Sequence, residues 1–135
     1  MKMTFDTDAI LFGILKNTPG IVSALSGSIY NGDRPDNSEK EDIAINTIDL
    51  TQEDLPQIGT SNVNIHVPDK LVSIAGSKQK KADKERMKLI TELVITSLKA
   101  AKVQGLSLVV TNQTTISQPD ISQHYVNIRI NWTIH

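Results

Sequence analysis

Three histidines, His66, His124 and His135, are the side chains of this sequence whose ordinary pKa suits proton transfer near neutrality. None is spaced from another histidine or a carboxylate as metal ligands are, so each reads best as a solvent-facing strand residue. Serines and threonines are plentiful, but the nucleophile elbow G-x-S-x-G is missing, and scattered hydroxyls do not define a Ser-His-Asp arrangement. The glycines are dispersed and build neither GxGxxG nor a P-loop, which removes the common phosphate cradles. With no cysteine in the chain, disulfides, thiolate metal sites and thiol nucleophiles drop out together. The expectation is a protein with no catalytic residues, no metal and no cofactor.

What chemistry remains is electrostatic. The 135-residue chain carries a formal net charge of -1, which is not the footprint of a nucleic-acid or membrane binder. Two local runs break that neutrality. Between Asp33 and Asp42, the acids Asp33, Asp36, Glu39, Glu41 and Asp42 outnumber Arg34 and Lys40. Between Lys70 and Arg86, the bases Lys70, Lys78, Lys80, Lys81, Lys84 and Arg86 outnumber Asp83 and Glu85. The first run has no apolar side chain apart from its proline and reads as an exposed loop. The second, from Ile74 to Ala82, reads as a mobile loop, because small and basic residues supply little apolar area against the entropy of ordering. Contact of the Lys78 to Arg86 run with nucleic acid is one reading; a protein interface and a merely solvated loop are the others. The few, separated aromatics offer no stacking platform for bases.

The element that must organise these runs is the stretch Lys84 to Val103. Met87, Ile90, Val94, Leu98 and Ala101 recur at helical steps, widened by Leu89, Leu93 and Ile95, so one broad face is buried. Lys99 and Lys102 suit the negative end of the helix dipole, and Gly105 stops the helix. Before it, Thr7 or Asp8 is expected to cap a first helix carrying Ile10, Leu11, Ile14 and Leu15, and Thr18 a second short one after Pro19. Ile43 to Ile48 reads as a strand with a bulge or an early end, and Val63, Ile65 and Val67 alternate as a half-buried strand. Leu106 to Thr115 and Tyr125 to His135, joined by a turn at Ser117 to Asp120, form a hairpin whose last strand has the best pattern to meet the helix. The resulting fold class is α+β, one domain over residues 1–135. An antiparallel sheet is packed against one long helix, with an N-terminal helical segment and a C-terminal β-hairpin. Asp6 and Asp8 stand where a signal peptide would want bases, and no apolar run approaches a membrane span, so a soluble cytoplasmic chain with no membrane partner is expected.

One local signature adds to this order of elements. The stretch Ile21 to Pro35, with Gly27-Ser28-Ile29-Tyr30-Asn31-Gly32 at its centre, followed after a polar loop by the strand Asp42 to Asp49, resembles the tail-terminator or tail-completion proteins of long-tailed bacteriophages and prophages. There an N-terminal helix leads to a G-x-I-Y-x-G-x-x-P-like segment, here Gly27 to Pro35, then to strands, a long helix and a final hairpin. The polar acidic loop before Ile43 and the short strand after it depart from that layout. The resemblance implies a structural virion protein of the tail or neck, made in the bacterial cytoplasm. Its subunits would close into a homo-oligomeric ring, a hexamer, that caps the tail tube and meets the head connector, with DNA only passing through. Another neck or head-completion component, or a small nucleic-acid-binding module, is the alternative. In a head-to-tail ring the two charged runs are expected to meet across the subunit boundary, with Asp33, Asp36, Glu39, Glu41 and Asp42 on one side and Lys78, Lys80, Lys81 and Lys84 on the other.

Overall fold

The computed structural model describes residues 1–135. Three helices, α1 (Thr4–Lys16), α2 (Ile21–Ala24) and α3 (Lys84–Ala100), accompany seven strands. These are β1 (Ile29–Asn31), β2 (Asp42–Leu50), β3 (Gln57–Pro68), β4 (Lys70–Ile74), β5 (Ser77–Lys81), β6 (Leu106–Gln118) and β7 (Gln123–Ile134). Five of them make one sheet in the order β1-β2-β3-β7-β6, while β4 and β5 form a separate two-stranded sheet. The α+β class predicted from the sequence is therefore the one observed. The main sheet is antiparallel except at β1, which runs parallel to β2.

Alternation decides which face is covered. Val63, Ile65 and Val67 of β3 and Val126, Ile128, Ile130, Trp132 and Ile134 of β7 are buried, and they pack in one core with Leu11 and Leu15 of α1 and Ile90, Val94 and Leu98 of α3. The residues between them, Asn62, Asn64 and His66 on β3 and Asn127, Arg129 and Asn131 on β7, line the uncovered face. There Asn127 donates to Asn64 at 2.7 Å. The sheet thus has one apolar and one polar side, as the period of two requires.

Several boundaries differ from expectation for identifiable reasons. Helix α1 begins at Thr4 rather than after Thr7 or Asp8, because the Asp6 carboxylate accepts from the Met3 N–H at 2.7 Å and satisfies a donor one turn earlier. Thr18 does not cap α2; its hydroxyl bonds the Ile14 carbonyl and Ser97 of α3, and Gly20 at φ 93° opens the short helix instead. Strand β2 has the anticipated bulge between Thr47 and Asp49 but continues to Leu50. The segment Ile74 to Ala82, read as a mobile loop, is a paired hairpin with Ile74 opposite Ser77. Its turn places both Ala75 (φ 51°) and Gly76 (φ 78°) in the left-handed region that tight hairpin turns use.

A buried polar chain pins the two layers together. The Trp132 Nε1–H can only donate and does so to Ser61 at 2.7 Å; Ser61 meets Thr47 at 2.7 Å. Thr47 donates to the Asp8 carboxylate at 2.6 Å, which can only accept. The direction of every bond from β7 through β3 and β2 to α1 follows from these two ends. Ser61→Ala leaves the indole N–H buried without an acceptor and should destabilise the protein by about 1–3 kcal/mol in urea unfolding. Trp132→Phe added to that variant should recover part of the loss; a cost confined to a few tenths of a kcal/mol would show that the chain is not satisfied as described.

Candidate functional site

The signature segment and the acidic run are clasped to each other through the backbone. Gly27 donates to the Glu41 carbonyl at 2.9 Å and Ile43 to the Ser28 carbonyl at 3.0 Å. Glu41 N–H donates to Ser26 Oγ at 2.8 Å, and Ser28 N–H to the Asp42 carboxylate at 3.0 Å. A β-carbon on Gly27 would run into the Asp42 carboxylate and the Glu41 carbonyl, so close approach of two backbones demands glycine here. Gly32, at φ 109°, then turns the chain out of β1.

This clasp buries two carboxylates, and each is met by an arginine. Arg86, on the first turn of α3, grips Glu41 through Nε and Nη2, both at 2.7 Å, and gives a further bond to the Ala24 carbonyl at 2.6 Å. Asp42, fully buried, pairs with Arg34 at 3.0 Å and accepts from Ser38 at 2.6 Å. Arg34 also holds the Ser38 carbonyl at 2.8 Å and Gln123 of β7 at 2.9 Å. Fork-shaped guanidinium pairing is what makes buried carboxylates tolerable. The hydrogen bond from Arg86 is the main reason the Glu41 carboxyl sits below its ordinary pKa, and the same bond raises Arg86.

His66 lies beside this pair of ions, opposite Asp42 on β2 and Tyr125 on β7, with its ring 5.1 Å from that of Tyr125. Burial, and then the positive charge of Arg34, push its pKa down to about 4. It is not the solvent-facing residue the sequence implied. His124 is also partly buried, its Nδ1 2.6 Å from the Asp69 carboxylate. No group of three or more histidines and carboxylates is arranged to hold a metal ion.

Of the acidic residues expected at a subunit boundary, Asp33, Asp36 and Glu39 are exposed, whereas Glu41 and Asp42 are buried in their own chain and cannot reach a neighbour. Lys78, Lys80, Lys81 and Lys84 are all exposed, but the basic run is shortened in effect, since Arg86 serves Glu41 and Lys70 lies 3.9 Å from Asp83. Lys80 lines the same cleft as Asp36 and Glu39, so the two charged runs share one end of a single subunit. Sequence reading missed the pairings because Glu41 and Arg86 stand 45 residues apart and spacing carries no trace of them.

Above this end runs a groove of about 840 Å³ between the first turns of α3 and the outer half of the β6–β7 hairpin. Met87, Ile95 and Val126 give it an apolar floor, and Lys84, Lys88 and Glu92 stand on the helix side. The wall contains Thr91, 7% exposed, whose hydroxyl has no hydrogen-bond partner. No helix is long and apolar enough to cross a membrane.

No family model matches the sequence, and no curated protein matches it. Among solved structures, the fold is similar to that of a chain in the virion of a native gene transfer agent particle, with a TM-score of 0.63 at 9% identity. The match covers 94% of this chain and 92% of that chain. At that identity the likeness is one of fold, extending over nearly the whole of both chains.

The ionic clasp predicts a two-stage acid response. With His66 lowered from 6.5 to about 4 in the fold, the unfolded chain binds its proton first, so stability holds above pH 6.5 and declines as pH falls from there toward 4. Glu41, lowered from 4.5, contributes stability that is lost only below that value. Melting temperatures from pH 8 to pH 3 should show both stages. His66→Gln should flatten the first and leave the second; an unchanged slope above pH 4.5 would contradict the burial of a neutral His66.

Proposed function

We propose that this chain is a structural subunit of a phage or phage-like particle, a tail-terminator or tail-completion protein that closes into a hexameric ring between tail tube and head connector. The observation that carries this reading is the fold shared, nearly end to end, with a chain of a gene transfer agent virion. The signature segment Gly27 to Pro35 supports it by being built into the structure as a clasp that sets the geometry of one end of the molecule.

The sheet edges fit a protein that completes itself by association. Strand β6 is the outer strand on one side, 13 residues long, without a charge or a proline, and exposed on both faces from Thr111 to Ser117. Soluble monomers usually blunt such an edge with charges or prolines. In this reading the exposed charges Asp33, Asp36, Glu39, Lys78, Lys80, Lys81 and Lys84 belong to the subunit boundary, the protein acts without catalysis, and DNA passes through the ring without being read. Exposed pairs contribute only about 0.2–1 kcal/mol each and are screened by salt, so they guide association more than they hold it.

Native mass spectrometry over a concentration series, with and without purified tail tubes from the same particle, tests the proposal. A closed ring of defined mass is expected, formed by the free protein or on addition of tubes. A monomer under all of these conditions would contradict it.

A further inference from the structure

The acidic partner of the basic end lies at the opposite end of the subunit. Gln57 of β3 pairs with Ile134, and Pro68 with Gln123, so eleven steps of β3 separate the two ends of the sheet. At about 3.3 Å per residue that is roughly 35 Å. At one end stand the groove, Lys84 and the β4–β5 hairpin with Lys78, Lys80 and Lys81. At the other, β2 and β3 are joined by residues 51–56, every one of them exposed.

That joining tip has a marked composition. It carries Asp49, Glu53 and Asp54, and no lysine or arginine occurs between Lys40 and Lys70. Leu55, at its apex, is 56% exposed. The tip is also well held, since Gln57 and Gln52 both donate to the Lys2 carbonyl, at 2.9 Å and 3.0 Å, and Gln57 donates to the Thr51 carbonyl at 2.8 Å. It is a firm projection on which Asp49, Glu53 and Asp54 outnumber the adjoining Lys2, with an apolar side chain on it.

We infer that the β2–β3 tip of one copy of this chain docks into the groove between α3 and the β6–β7 hairpin of the next copy. Leu55 meets the floor formed by Met87, Ile95 and Val126, while Glu53 and Asp54 face Lys84 and Lys88. Lys88 is only loosely engaged, 3.8 Å from Glu92, and Lys80 and Lys81 adjoin Lys84 in the neighbouring cleft, which Asp69 also lines, so lysines outnumber carboxylates around the rim. A subunit cannot reach its own groove across the length of the sheet, so the contact lies between copies; made head to tail it is heterologous, the kind that generates rings, whereas reciprocal exchange of tips would stop at a dimer. The loop from Asp33 to Glu39 shares a cleft with Lys80 of its own chain, at the same end as the groove, so it is not placed to enter the groove of a neighbour stacked head to tail. This inference rests on the ring reading above and supplies its subunit contact.

Charge reversal of each end tests it. Variant one carries Glu53→Lys and Asp54→Lys; variant two carries Lys84→Glu and Lys88→Glu. All four sites are exposed, so circular dichroism and melting should match the parent chain. Each variant alone should need at least about tenfold more protein to form the native-mass ring at low salt. An equimolar mixture of the two should recover rings of alternating composition, because each reversed tip then meets a reversed groove. A single chain with all four changes should recover them too. Rings formed by either variant alone at the parent concentration, or no recovery on mixing, would overturn this contact while leaving the ring itself standing. Failure of the parent chain to form rings with tail tubes present would remove both.

Discussion

Everything at the basic end of this molecule depends on two carboxylates, Glu41 and Asp42, being buried next to each other and each held by an arginine. Adjacent residues on a strand point to opposite faces, so Glu41 turns toward α3 and Arg86 while Asp42 turns toward Arg34, Ser38 and His66. Through Arg86 the pair fixes the start of the long helix against Ala24 and the signature turn. Through Arg34 it shapes the loop back to Gln123 at the head of β7. Burying two charges is costly unless each is bonded; the bidentate grip of Arg86 with the Ser26 N–H serves Glu41, and Arg34, Ser38 and the Ser28 N–H serve Asp42, leaving the buried Arg34 Nε as the one nitrogen of the two guanidinium pairs without a partner in the interior. A glycine at position 27 is the steric counterpart, since nothing larger would let the two chain segments close.

The elements set by apolar periodicity were legible in the sequence. Met87, Ile90, Val94 and Leu98 marked α3, and the alternation from Val126 to Ile134 marked β7, an inner strand of the sheet that the helix covers. What escaped was set by partners distant in sequence. A run such as DRPDNSEKED has the composition of a solvated loop, and nothing local says that its last two acids are claimed by Arg86 and Arg34. The β4–β5 hairpin escaped because Ala75 adopts a positive φ that its side chain does not advertise. His66 reads as exposed because alternation places it on the polar face, where Tyr125 and Asp42 nonetheless flank it; His124, two residues before Val126, lies on the helix side and is held by Asp69.

The candidate site shows the same division. Lys78, Lys80, Lys81 and Lys84 read from the sequence as one side of a subunit boundary; the structure leaves them exposed, and the closeness of Lys80 to the Asp33 to Glu39 loop depends on how β4–β5 folds back, which pattern alone does not reveal. Because both runs lie at one end, attraction between them is partly met inside the chain. The long-range polarity of the molecule runs instead along the strands, from the acidic β2–β3 tip to the groove beside α3. The molecule thus has a basic end and an opposite end rich in acids, with the uncharged edge strand β6 running between them.

The measurement that bears most directly on this account is a double-mutant cycle on Glu41 and Arg86, read by urea unfolding. Arg86→Met leaves the buried Glu41 carboxylate unpaired and should cost about 3 kcal/mol, whereas Glu41→Gln leaves Arg86 with 35% of its side chain exposed to water and should cost less; the double variant should cost clearly less than the sum, with a coupling of roughly 1 kcal/mol. Strict additivity would contradict the claim that this ion pair organises the basic end of the fold.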